Sequence, residues 1–189
     1  VQTTQLDFDN EGRGTAILFG DGAAACLLCS TDEPKGILSS HLHSDGKYIQ
    51  ELGTEYPSSK YKDIITVENV KQRKHHIHMN GREVFKHAVR RFPEVICEGL
   101  KYNNLSIDDV SLVIPHQANF RITQAVRKQL NISENKVFSN IHKYGNTTAA
   151  SIGIALSEAL EEKRINNDDI VVLAAFGAGW YWGSVIIKW

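Results

Sequence analysis

The sequence predicts an α/β fold in which helices cover a mostly parallel sheet. Short apolar runs such as Val110 to Pro115 (VSLVIP) and Asp169 to Phe176 (DIVVLAAF) have the character of strands buried on both faces. Between them lie segments whose apolar residues recur every three or four positions, the period of an amphipathic helix. The two kinds of segment alternate along the chain, which is the pattern of crossover connections.

Gly20-Asp21-Gly22 is a tight turn leading into Ala23 to Cys29, a small apolar run that predicts a buried strand. Gly36 to His43 alternates and predicts another. From Asp45 to Arg73 the composition is polar and includes Pro57-Ser58-Ser59, so a long surface excursion is expected. Gly81 to Tyr102 predicts a helix, with Val84, Phe85, Ala88, Val89, Phe92, Val95, Ile96 and Leu100 recurring at three- and four-residue spacing. Pro93 should kink or restart it. Ser106 to Asp109 reads as a capped turn before the Val110 strand. Asn119 to Leu130 predicts a second helix, Lys136 to Asn140 a short strand, and Thr147 to Arg164 a third helix. That last helix opens on Ala149, Ala150, Ser151 and Gly153, small enough to let other backbone come close. Asp169 to Phe176 and Gly183 to Trp189 end the chain as strands. Their short connection, Gly177 to Trp182, fits an antiparallel pair.

The 189 residues suit one core, and the formal net charge of −1 gives no argument for nucleic-acid or bulk membrane binding. No apolar run is long enough to span a bilayer. Cys26, Cys29 and Cys97 are odd in number and form no disulfide framework. Cys26-x-x-Cys29 has redox or zinc spacing but lies in an apolar run without a second pair, so two strand cysteines are the simpler reading. His76 and His78 would share a face of a strand, but no further ligand is in view and no metal site is assigned. The chain opens at Val1 inside a polar stretch, as a fragment, a processed chain or an expression boundary would.

Four segments could carry chemistry. His116, in Pro115-His116-Gln117-Ala118-Asn119-Phe120-Arg121, directly follows a buried strand, where α/β proteins form their ligand crevice. A histidine satisfied by a backbone carbonyl is the equal alternative. Asn146, in Tyr144-Gly145-Asn146-Thr147-Thr148, also follows a strand, although a helix cap accounts for it as well. Phe176-Gly177-Ala178-Gly179-Trp180 is a Gly-rich turn that could aim backbone N–H groups into a site, or could be a packed hairpin. Met79-Asn80-Gly81-Arg82-Glu83-Val84-Phe85-Lys86 opens the first long helix.

In this order, together with Gly20-Asp21-Gly22-Ala23-Ala24-Ala25, these motifs resemble β-ketoacyl-acyl-carrier-protein synthase III from about Thr15 to Trp189. The resemblance implies a thiolase-like fold, with residues 1–189 as the C-terminal half of an αβαβα layered sandwich carrying a mostly parallel five-stranded sheet. It implies decarboxylative condensation of acetyl-CoA, or another acyl-CoA primer, with malonyl-acyl carrier protein at the start of fatty acid biosynthesis. His116 and Asn146 match the catalytic His and Asn. Two neutral donors can stabilise the enolate left by carbon dioxide without a proton transfer. Ala178 matches the backbone oxyanion donor, although the family usually has Gly there. Met79, Gly81, Phe85, Ala118 and Asn119 match the wall of the CoA and pantetheine channel, while Arg82 replaces a smaller polar residue. Arg121 and Lys86 are expected to meet the carrier protein, with a solvated helix face as the alternative.

No cysteine here matches the family's nucleophile, so the resemblance implies that the Cys-bearing N-terminal half is absent and that this chain alone is inactive. It further implies a cytoplasmic homodimer that uses CoA thioesters as substrates and needs no cofactor. A secondary-metabolite or ester-forming homologue, a non-catalytic subunit pairing with a Cys-bearing chain, and a stand-alone CoA-binding module are the alternatives.

Overall fold

The computed structural model describes residues 6–7 and 12–189; Val1, where the chain opens, lies outside them. The described residues form six strands: β1 (Gly36–Ser44), β2 (Leu52–Gly53), β3 (His78–Met79), β4 (Val110–Pro115), β5 (Ile170–Gly177) and β6 (Tyr181–Lys188). The helices are α1 (Arg13–Ala16), α2 (Val67–Lys71), α3 (Gly81–Tyr102), α4 (Phe120–Gln129), α5 (Ile141–Tyr144) and α6 (Ala150–Glu161).

The main sheet runs β1-β6-β5-β4, and β2 with β3 forms a separate ribbon. β4 and β5 are parallel, whereas β6 is antiparallel to both β5 and β1. Among the described residues the main sheet is therefore four-stranded and mixed, in place of the expected five strands and mostly parallel character. The short Gly177-to-Tyr181 turn forces the reversal, since so few residues cannot carry a crossover. The strand expected at Lys136 to Asn140 is reduced to one parallel bridge, Val113 to Val137, behind a 3₁₀ turn at Glu134–Lys136.

The run Ala23 to Cys29 is not a strand. A strand needs hydrogen bonds to a neighbour, and none of the described strands runs beside it. Leu27 and Leu28 are 89% and 76% exposed. Pro93 does not divide α3, which is one 22-residue helix capped by the Asn80 side chain. The helix expected over Thr147 to Arg164 is shorter at both ends, because Thr148 has φ of 47° and Lys163 of 56°.

The sheet has a helical layer on each face. On one side, Ala88, Phe92, Ile96 and Leu100 of α3 and Ile122 and Val126 of α4 pack with Val113, Val172, Ala174 and Phe176. On the other, Ala155 and Ala159 of α6 meet Leu112, Ile114, Val171 and Phe138. Alternation along β4 and β5 thus sends side chains into two cores, so these strands read as continuous apolar runs. Each fully buried aliphatic or aromatic side chain contributes about 1.5–3 kcal/mol. The small face of α6 has the expected consequence: a Cβ on Gly153 would sit 2.5 Å from the Ala24 Cβ, so the glycine lets the Gly20 segment cross the helix closely.

Candidate active site

The ends of β4 and β5, the start of α6 and the β5–β6 turn surround one cavity of about 890 Å³. His116 lies directly beyond β4. Its backbone N–H donates to the Ala174 carbonyl at 2.7 Å, extending the parallel ladder by one residue. Its ring Nδ1 lies 2.6 Å from the Ser151 hydroxyl. Burial pushes the imidazole pKa down from 6.5 to about 4, so the ring is neutral at physiological pH.

Gln117, 1% exposed, fixes the backbone on which His116 sits. Its side-chain amide donates to the Pro115 carbonyl at 2.6 Å and to the Phe138 carbonyl at 3.4 Å. Its Oε1 accepts from the Ser139 hydroxyl at 2.8 Å and the Asn140 N–H at 3.2 Å. These contacts tie the end of β4 to the following segment at the position where the expected strand is missing.

Asn146 is 9% exposed and reaches the same cavity from the other side. Its backbone bridges Leu18 and Gly20: its N–H donates to the Leu18 carbonyl at 2.8 Å, and its carbonyl accepts from the Gly20 N–H at 3.0 Å. A Cβ on Gly20 would lie 1.9 Å from the Tyr144 carbonyl oxygen, so only glycine permits this approach. Gly145, at φ of 69°, turns the chain into it. Asn146 Oδ1 accepts from the Thr148 N–H at 2.8 Å, which orients the amide and leaves its Nδ2 donors for the cavity. The turn-forming role and the site-facing role of Asn146 therefore coexist. Glu158 of α6 steadies the preceding turn by accepting from Asn140 Nδ2 at 3.0 Å, Lys143 Nζ at 3.3 Å and the Tyr144 hydroxyl. Those donors hold the Glu158 carboxyl below its usual range.

Ala178 sits at the tip of the β5–β6 turn and lines the cavity. Trp180, 1% exposed, anchors that turn against Tyr48, His87 and Phe176. Its backbone exchanges two hydrogen bonds with Asp45, at 2.7 and 2.8 Å. Met79, Gly81, Phe85, Ala118 and Asn119 all line the same cavity, so residues separated by up to 99 positions from Met79 to Ala178 share one wall. Asn119 Oδ1 also accepts from the Arg121 N–H at 2.9 Å, capping α4. Lys86 and Arg121 lie outside the lining on exposed helix surface, and Lys86 pairs with Glu83 at 3.4 Å.

The three cysteines are exposed and none lines the cavity. Partial desolvation raises the Cys97 thiol pKa, which disfavours its thiolate. The His75 and His76 rings meet at a tilt of 36° with centroids 4.1 Å apart, while His78 bonds the Gln50 carbonyl at 3.1 Å. Among the described residues, no group of three His, Cys, Asp or Glu could hold a metal ion. Among the same residues, no helix is long and apolar enough to cross a membrane. Gln117 and Ser151 are the contributors whose roles sequence reasoning missed. Gln117 lies within the noticed His-Gln-Ala-Asn motif, whereas Ser151 reads only as one of several small helix residues.

This layered α/β architecture, with its cavity at the strand ends, is a thiolase-like fold. The chain belongs to the 3-oxoacyl-[acyl-carrier-protein] synthase III family. The family model described as the synthase III C terminal matches residues 100–189, and the model described as synthase III matches residues 2–46. A relative from Roseiflexus sp. (strain RS-1), a β-ketoacyl-[acyl-carrier-protein] synthase III, is 43% identical over 182 residues, covering 94% of this chain and 53% of the relative. The crystal structure of the synthase III from Aquifex aeolicus VF5 superposes with a TM-score of 0.83 at 36% identity, covering 99% of this chain and 55% of that one. The priming β-ketosynthase of the R1128 polyketide pathway superposes with a TM-score of 0.70 at 26% identity, covering 84% and 46%. The chain spans about half the length of the curated relatives it matches.

Proposed function

We propose that these residues form the decarboxylation half of a condensing active site, within a protein that joins an acyl-CoA primer to malonyl-acyl carrier protein. The observation that carries this reading is the convergence of His116 and Asn146 on one cavity, each with one polar end engaged and the other without a hydrogen bond among the described residues. The family relationship supports it.

A cysteine thiolate outside these residues attacks the primer thioester and CoA leaves, giving an acyl-enzyme. The Ala178 N–H shares the acyl oxyanion with the N–H of that cysteine. The malonyl thioester then loses carbon dioxide, and negative charge develops on its thioester oxygen. His116 Nε2–H and Asn146 Nδ2–H donate to that oxygen. The enolate carbon attacks the acyl carbonyl and the thiolate departs, leaving a 3-oxoacyl chain on the carrier. A neutral imidazole suits this task, because it donates without surrendering its proton. Met79, Gly81, Phe85, Ala118 and Asn119 hold the pantetheine arm, and Lys86 and Arg121 attract the acidic carrier. As written, the reaction uses CoA and carrier thioesters and needs no metal or redox group. A homodimer in the cytoplasm, serving fatty acid synthesis, is the setting we propose.

The polyketide likeness favours one alternative, a starter condensation in secondary metabolism. Primer preference separates the two readings.

Intact mass after incubation with acetyl-CoA tests the division of labour. The full-length polypeptide carrying this sequence should gain one acetyl group, and residues 1–189 alone should gain none. An acetylated Cys26, Cys29 or Cys97 would contradict the assignment.

A further inference from the structure

We infer that Ser151 is a positioning residue that holds His116 in the tautomer with its proton on Nε2. The inference rests on the reading of His116 as a neutral donor and identifies what makes it one. Ser151 lies one residue inside the first turn of α6 and is 2% exposed. Its hydroxyl oxygen lies 2.6 Å from His116 Nδ1 and 3.3 Å from the backbone nitrogen of Gln117.

Proton counting decides the direction. The Gln117 N–H can only donate, so the Ser151 oxygen accepts there. If His116 carried its proton on Nδ1, that oxygen would accept twice, and the buried hydroxyl proton would have no acceptor among the hydrogen bonds of the described residues. A buried donor left without a partner carries its full desolvation penalty. If the hydroxyl instead donates to an unprotonated Nδ1, the Ser151 hydroxyl, the Gln117 N–H and His116 Nδ1 are all satisfied. The ring proton then belongs to Nε2, the nitrogen with no hydrogen-bond partner among the described residues. The histidine presents to the cavity an N–H rather than a lone pair, and the device is built from one side chain and one backbone amide on adjoining elements. The same short contact fixes the ring plane, because Nδ1 can meet the hydroxyl in only one orientation.

The test uses the full-length polypeptide with ¹⁵N-labelled histidine. The ring nitrogen shifts of His116 report the tautomer directly, assigned by their loss in His116→Ala. Wild type should show the Nε2–H form. Ser151→Ala should show a mixture with the Nδ1–H form, and malonyl decarboxylation should fall about 10- to 100-fold, the range found when an orienting partner of a metal-bound histidine is removed. Acyl transfer from acetyl-CoA should be unchanged, and Ser151→Thr, which keeps the hydroxyl, should restore the Nε2–H signature. An unaltered tautomer in Ser151→Ala would overturn the inference, whatever happens to the rate. Failure of the underlying reading is seen separately, as undiminished decarboxylation in His116→Ala.

Discussion

The runs Val110 to Pro115 and Ala23 to Cys29 are both short and apolar, but only the first is a strand. β4 has β5 beside it, a core on each face, and His116 fixed at its end. The Ala23 run has no paired neighbour among the described strands and leaves two leucines in solvent. Apolar composition therefore marks surface that must be covered, while pairing decides which run becomes a strand and can support a site.

The largest effects should separate these regions. Ile114 is 0% exposed, at the centre of the α6-side core. Ile114→Ala should destabilise by about 2–5 kcal/mol in denaturant unfolding, because the rigid surroundings leave a cavity. A loss near zero would mean that β4 is not the packed centre.

A smaller effect comes from His116. Its folded pKa of about 4 lies below the ordinary 6.5, so between those values the unfolded chain binds more protons. The stability due to the buried neutral ring is complete above pH 6.5 and is lost as the pH falls towards 4. Urea unfolding at pH 7 and pH 5 should show a drop that is reduced in the non-titrating His116→Gln. An equal drop in both would place the proton elsewhere.

The smallest effect should be in the exposed run, where Leu27→Ala should change the stability of residues 1–189 by no more than about 0.5 kcal/mol. A larger loss would mean that Leu27 is covered.

Much of this was legible in the sequence. The 3.6-residue period located α3 and α4, and the short Gly-rich connection predicted the antiparallel β5–β6 pair. His116 and Asn146 were visible as polar residues expected at strand ends, and the ordered motifs identified their family. What was not legible depends on spatial neighbours. Ala23 to Cys29 looks like a strand because composition does not reveal whether a partner lies alongside. Lys136 to Asn140 fails as a strand because Gln117 takes the Asn140 N–H and donates to the Phe138 carbonyl. Ser151 looked like a packing residue because a serine's partner across 35 positions leaves no periodic mark.

The central claim is that His116 and Asn146 act together on the charge that forms when carbon dioxide leaves. The most direct measurement is the rate of carbon dioxide release from malonyl-acyl carrier protein by the full-length polypeptide, compared among wild type, His116→Ala and Asn146→Ala. Loss of one oxyanion donor should cost roughly 3 kcal/mol of barrier, a rate loss of about 100-fold or more, with acetyl transfer retained. Undiminished release in both variants would contradict the account.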